Sequence, residues 1–279
     1  MFIYQQKAFE LGKPVKISGV VITFNEEKNL DRCLQSLKNV ADELVVVDSF
    51  STDGTESIAR QYDATFLQHP FEGHIEQKNY ALGQASHSII LSLDADEALS
   101  PALEQAIMAV KANWGSHQAF AFNRLNRYGH RWIRHGVWYP DRKVRLFDRH
   151  HAQWAGENPH DKVVVKDGKV GHLKGDLLHY TYDPTNLLTV YESHYKQINF
   201  FTSEWAKGAY TRRKKVIPIW HLVLRPPLQF LHEYVFRLGF LDGPEGFHIA
   251  KTSALHKYLK YRKLQALYQQ DRLTDKFTR

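Results

Sequence analysis

Three short apolar runs in the first hundred residues break off abruptly into polar or acidic residues: ISGVVITF (17–24) into NEEKN, ELVVVDS (43–49) at Asp48, and SIILSLDADE (88–97) at Asp94. This punctuation constrains the fold more than any other feature. Runs this short and this rich in Val and Ile suit buried strands. Between the first two, Leu30, Cys33, Leu34 and Leu37 fall at i, i+3, i+4 and i+7, the stripe of a helix that covers a sheet. STDGT (51–55) starts a second helix, whose stripe runs through Thr55, Ile58, Ala59 and Tyr62. ATFLQ (64–68) predicts a third strand, and IEQKNYALGQA (75–85) a further helix. After the acidic cluster, Ser100 is placed to cap a helix that has Pro101 in its first position. Strands separated by helical crossovers predict a parallel sheet covered on both faces. In such sheets ligands gather beyond the carboxyl ends of the strands. The polar ends Thr23-Phe24-Asn25-Glu26, Asp48-Ser49 and Asp94-Ala95-Asp96-Glu97 would therefore lie along one edge.

Crowding Asp94, Asp96 and Glu97 costs Coulomb energy. A divalent cation shared with an anionic ligand offsets that cost. Mg²⁺ or Mn²⁺ takes one or two carboxylates and completes its shell with substrate phosphates. Asp94 and Asp96, two apart on a strand, would point the same way; Glu97 is expected to support the following helix terminus. The phosphate-cradling patterns G-x-x-x-x-G-K-[ST] and G-x-G-x-x-G are missing at the first turn, which argues against a P-loop enzyme or a dinucleotide dehydrogenase.

The motifs VVITFNEEKNLDRCLQSL, ELVVVDSFSTDGT, EQKNYAL and LSLDADE, in this order, resemble the family 2 inverting glycosyltransferases, which have a GT-A fold. DRKVRLF, ENPHDKV and FRLGFLDGPEGFHIA further resemble a branch that adds glucose to the heptose of the lipopolysaccharide inner core in Gram-negative bacteria. The resemblance implies a UDP-sugar donor. Thr23, Phe24, Asn25 and Glu26 would hold uracil and ribose, with Asp48 beside the base. Lys78 would approach the phosphates. Asp94 would face the ribose or a metal-bound water, and Asp96 would be the principal ligand of Mg²⁺ or Mn²⁺. Where many relatives have a second aspartate and a glycine, this chain has Ser49 and Phe50.

Transfer with inversion also needs a base for the acceptor hydroxyl. WAGENPHDKVVV offers Asp161, with Glu157 as the alternative. In YPDRKVRLFDR, Lys143 and Arg145 would share one strand face toward the diphosphate or an anionic acceptor, with Arg142 facing away. A late histidine serves as a metal ligand in some GT-A enzymes, and His179 is the candidate. An acceptor other than heptose, such as another glycan or a peptide cysteine, is the alternative within the family.

These assignments divide the chain into a catalytic domain over 1–190 (nucleotide-sugar half about 16–110, acceptor half about 111–190) and a helical region over 191–279. Lys207 to Lys263 carries twelve Lys/Arg and three Asp/Glu, a balance of +9 that leaves the rest at −2 against a net charge of +7. Cations followed by Trp220, Leu222, Val223 and Leu224, an interruption at Pro226-Pro227, and a stripe through Phe230, Leu231, Tyr234, Val235 and Leu238 suit an amphipathic segment on an anionic membrane surface. A lipid-anchored oligosaccharide acceptor would be met there. The single cysteine, the polar start MFIYQQKAFELGKP and the lack of a long apolar segment predict a cytoplasmic protein, peripheral on the inner membrane. A nucleic-acid partner is not expected, because it leaves the acidic strand ends unexplained.

Overall fold

The computed structural model describes residues 14–158, 160–182 and 186–277, and the chain forms two compact units. The first comprises residues up to Arg124 together with Asp141–Tyr180; the second comprises Leu125–Pro140 and the chain from Thr181 onward. The expected domain over 1–190 is thus shared between them, and 125–140 groups with the C-terminal helices.

In the first unit, β1 (Ile17–Thr23), α1 (Leu30–Leu37), β2 (Glu43–Asp48), α2 (Thr55–Gln61), β3 (Thr65–Gln68), α3 (His74–Gln84) and β4 (Ile89–Asp94) alternate as the sequence predicts. β3, β2, β1 and β4 are neighbours and run parallel. The register sets Thr23 beside Asp48 and Ile22 beside Asp94, so the three polar strand ends share one edge. Both faces are covered. Val21 and Val46 pack with the α1 stripe of Leu30, Cys33, Leu34 and Leu37, while Val20, Val45 and Val47 pack with Ala81 and Leu82 of α3.

β5 (Glu97–Leu99) was not expected. It follows β4 after a two-residue turn and pairs antiparallel with β11 (Lys169–His179). Only then does α4 (Pro101–Ala112) begin, capped by Ser100 Oγ, which accepts from the Leu103 amide. β6 (His117–Tyr128) pairs with the short β7 (Arg131–Trp132), and its first half pairs with β8 (Asp141–Asp148) beside β4. Phe120 faces Leu146 but Ala121 faces Val144, so Arg145 is an extra, bulged residue of β8. β9 (Ala152–Glu157) and β10 (His160–Val165) form a separate hairpin.

The second unit is built on α5 (Leu187–Thr211) and α7 (Gly243–Phe277), which pack against each other. Asn186 caps α5 by accepting from the Leu188 and Thr189 amides. Between them, helical turns run from Ile219 to Phe236 through α6 (Arg225–Leu231). Pro226 and Pro227 do not interrupt this path. They stand in the first turn of α6, where a missing N–H costs little. Tyr128, Ile133, Tyr182, Val190 and Ile249 form one core of this unit, and Ala206, Ala209, Tyr261 and Leu264 another. Among the described residues, no helix is long and apolar enough to cross a membrane. Residues 1–13, Pro159 and the side chain of His160 lie outside what is described.

Candidate active site

A cleft of about 340 Å³ opens at the carboxyl edge of the parallel strands. Thr23, Phe24, Glu26, Lys78, Asp94, Asp96, Asp161 and His179 all line it, so most of the sequence-predicted residues converge here.

Lys78 is the centre of the arrangement. Far from being an exposed helical lysine, it is 4% exposed, and its Nζ lies 2.7 Å from both Asp94 Oδ1 and Asp161 Oδ2. The ammonium also sits 4.2 Å from the centre of the Trp154 ring, a cation–π contact made in a dry setting. Arg145 Nη2 reaches Asp94 Oδ2 and Glu97 Oε1, each at 2.9 Å. Burial disfavours ionising Asp94, but Lys78 and Arg145 outweigh it and hold this carboxyl far below the usual carboxylate range. Arg145 is correspondingly held firmly charged: burial opposes this, and Glu97 and Asp94 overcome it.

Three expectations need correction. Glu97 does not support the α4 terminus. It is 1% exposed, accepts from Arg145, and takes the Asp94 amide at 3.1 Å on Oε2, because β5 turns it under the cleft. The simple alternation along β8 also fails. The bulge at Arg145 resets it, so Arg142, expected to face away, lines a common cavity with Lys143 and Arg145. Finally, β4 ends at Asp94 and Asp96 stands in the following turn, so the two acids have different partners. Asp96 Oδ2 is 3.2 Å from His179 Nε2. The β5–β11 pairing brings that histidine in by setting His179 opposite Glu97.

Asp48 is fully buried and does not line the cleft. Its carboxylate accepts from Thr23 Oγ1, the Ser51 amide and Ser51 Oγ. It therefore shapes the edge from beneath, and Ser49 takes the surface position. Asn25, at φ 54°, donates its amide to Ser51 Oγ and accepts from the Thr52 amide, which ties the ends of β1 and β2 together. Burial and the nearby carboxylates of Asp96, Asp53 and Asp94 push the Glu26 carboxyl up. Glu157 is exposed at the end of β9 and is not among the lining residues, whereas Asp161 is.

Sequence reasoning missed Glu97 as an anchor, and it missed Trp154, Phe71 and His74. Trp154 had one signal, its place just before the motif that supplies Asp161. Among the described residues, no group of three or more His, Cys, Asp or Glu side chains is gathered to cage a metal. Asp96 and His179 are a pair of potential donors, fewer than an all-protein metal cage supplies.

The sequence profile of Glycosyl transferase family 2 matches residues 18–164. A glycosyltransferase of Rickettsia typhi is 33% identical over 264 residues, covering 90% of this chain and 87% of its own. The lipopolysaccharide core biosynthesis glycosyltransferase LpsC of Rhizobium meliloti is 30% identical over 258 residues, covering 89% of this chain and 91% of its own. The mannosyltransferase PcManGT of Pyrobaculum calidifontis, solved with GDP-Man and Mn²⁺, superposes with a TM-score of 0.53 at 16% identity over 93% of this chain and 91% of its own, a likeness of fold. With the parallel strand ends, the acidic cleft and relatives matched along nearly their whole length, the chain belongs to glycosyltransferase family 2 and has a GT-A fold.

Proposed function

We propose that this glycosyltransferase moves a hexose, glucose in the simplest case, from a UDP-sugar to a heptose of the lipopolysaccharide inner core, with inversion. The donor class rests on the cleft and the acceptor class on the similarity to LpsC. The observation that carries the reading is Lys78 clasped between Asp94 and Asp161 on the cleft wall. It sets a fixed cation beside the place where a diphosphate gathers charge, and it orients a carboxylate toward the same space.

Uracil and ribose would lie on Thr23, Phe24, Asn25 and Glu26, above the buried Asp48. Asp96, with His179, would hold Mg²⁺ or Mn²⁺, which when bound supplies Lewis-acid stabilisation of the departing diphosphate. Lys78 adds preorganised charge stabilisation. Asp161 has Oδ2 held by Lys78, and Oδ1 would take the proton of the acceptor hydroxyl. The acceptor oxygen bonds to the anomeric carbon from the face opposite the diphosphate, the bond to the diphosphate oxygen breaks, and the proton moves to Asp161.

The exposed apolar residues Ile217, Ile219, Trp220, Val223, Leu228 and Phe236 beside the cations at 212–215 suit an anionic membrane surface, on the cytoplasmic face where a lipid-anchored acceptor is presented. Donor turnover of wild type and Asp96→Ala with Mg²⁺ or Mn²⁺ tests the central reading. A loss of about a hundredfold or more is expected, the scale of removing one preorganised electrostatic contact. Unchanged turnover would end the assignment of Asp96.

A further inference from the structure

A second cavity of the first unit, about 570 Å³, shares Asp94 and Asp161 with the cleft but is otherwise lined differently. Its remaining charged residues, among those described, are all cations: Arg124, Arg142, Lys143, Arg145 and Lys162. Three of them are matched. Arg124 and Lys143 pair with Asp141, at 2.9 and 3.1 Å, and Arg145 pairs with Asp94 and Glu97. Arg142 and Lys162 are exposed and have no ion-pair partner among the described residues.

A second, independent observation concerns hydrogen-bond donors. Trp154 is 2% exposed and Arg145 4%, both line the cavity, and among the described residues neither Trp154 Nε1 nor Arg145 Nε has a hydrogen-bond partner. Both atoms can only donate. Buried donors without acceptors are uncommon in folded proteins, and these two stand beneath one cavity wall, with too little exposed surface for an oxygen to reach them as they stand. The unmatched cations at the mouth describe a place for an oxyanion, and the donors beneath the wall add to its positive character.

We propose that this cavity receives a phosphate or carboxylate group carried by the sugar acceptor, with Arg142 and Lys162 setting specificity. The proposal rests on the reading of the cleft as the donor site. Asp161 borders both spaces, so an acceptor anchored by its anion in the cavity presents a neighbouring hydroxyl to Asp161 while the donor occupies the cleft. A neutral acceptor leaves the cations unmatched, the situation in which a polar site discriminates most strongly.

The test compares a heptoside acceptor bearing a phosphate beside the accepting hydroxyl with its unphosphorylated counterpart, using wild type and the Arg142→Ala/Lys162→Ala double variant. Wild type should show a KM lower by about tenfold or more for the phosphorylated acceptor, the scale of one to two charge-assisted hydrogen bonds. The double variant should lose that preference while its KM for the nucleotide sugar stays the same. Equal KM values in wild type overturn the proposal. So does a rise in donor KM in the variant, which would assign the cations to the donor diphosphate. Calorimetric titration of inorganic phosphate needs no transfer reaction: binding should persist with UDP saturating and weaken by about tenfold in the variant. Displacement of phosphate by UDP, or no phosphate binding, counts against the cavity. Phosphate binding in a protein that turns over no nucleotide sugar would fault the donor reading instead.

Discussion

In the first unit the lysine on the cleft wall is drawn inside and matched on two sides, with Lys78 2.7 Å from Asp94 and from Asp161. In the second unit Arg212, Arg213 and Lys215 stand exposed next to Ile217, Ile219 and Trp220, with no acidic partner among the described residues. Desolvating an ion costs several kcal/mol, and close geometry with full pairing must offset it. A chain tolerates this where charges have to be held in fixed positions. Exposed cations cost little, are screened by salt, and remain available to an external anionic surface. The first region fixes its charges by pairing, and the second leaves them open to solvent.

Removing the buried lysine should cost the most. Lys78→Met leaves Asp94 and Asp161 facing each other without their shared cation, and should lower stability by about 3 kcal/mol. Denaturant unfolding at neutral pH measures it. The deficit should narrow in acid, as the stranded carboxylates take up protons.

A second prediction separates the units by pH. Burial, with help from His248 and His256, holds the His194 imidazole down at about 4, and Tyr128 Oη lies 3.0 Å from its Nδ1. The unfolded chain binds this proton from about pH 6.5 downward and the folded chain does not, so stability falls between about pH 6.5 and 4. The difference amounts to about 3 kcal/mol. Asp94 works the other way. Its folded pKa is depressed, so its contribution is complete above the ordinary carboxylate range and is lost only below it. Mild acid should therefore loosen the second unit first, as seen by amide exchange at pH 7 and 5. His194→Gln, which cannot titrate but can still pair with Tyr128, should flatten the profile.

The exposed half of the comparison is sharpened by Arg212→Ala/Arg213→Ala/Lys215→Ala. At about 1 kcal/mol per cation near an anionic bilayer, partition onto phosphatidylglycerol vesicles should weaken by about 3 kcal/mol, with little change on neutral vesicles. Equal loss on both, by co-sedimentation, would point to a folding defect.

The smallest effect lies two residues beyond the end of β2. Phe50 is half exposed and holds φ 63°, a left-handed conformation that costs a non-glycine residue about 1 kcal/mol. Phe50→Gly should raise stability by about 0.5 kcal/mol, after the greater entropy that glycine loses on folding is subtracted. A fall in Tm would show that the ring packs usefully.

The alternation of β1 to β4 with their helices, the shared edge of Thr23, Asp48 and Asp94, and the Ser100 cap were all legible in the residues alone. These features follow from periodicity and from neighbours a few residues apart, which are local physics. The sequence also singled out Asp96, Asp161 and His179, all of which line the cleft. How the charges are matched became visible with the folded chain. Lys78 and Asp161 are 83 residues apart, so no local pattern announces their pairing. The bulge that re-aims Arg145 depends on the pairing of β8 with β6. The burial of Glu97 depends on a strand too short to be seen until β11 lies beside it. Asp48 shows the same limit: an acid at a strand end reads as a ligand-facing group until Ser51 folds back and saturates it. Hydrophobic patterning is written along the chain, whereas electrostatic pairing exists only once distant segments have met.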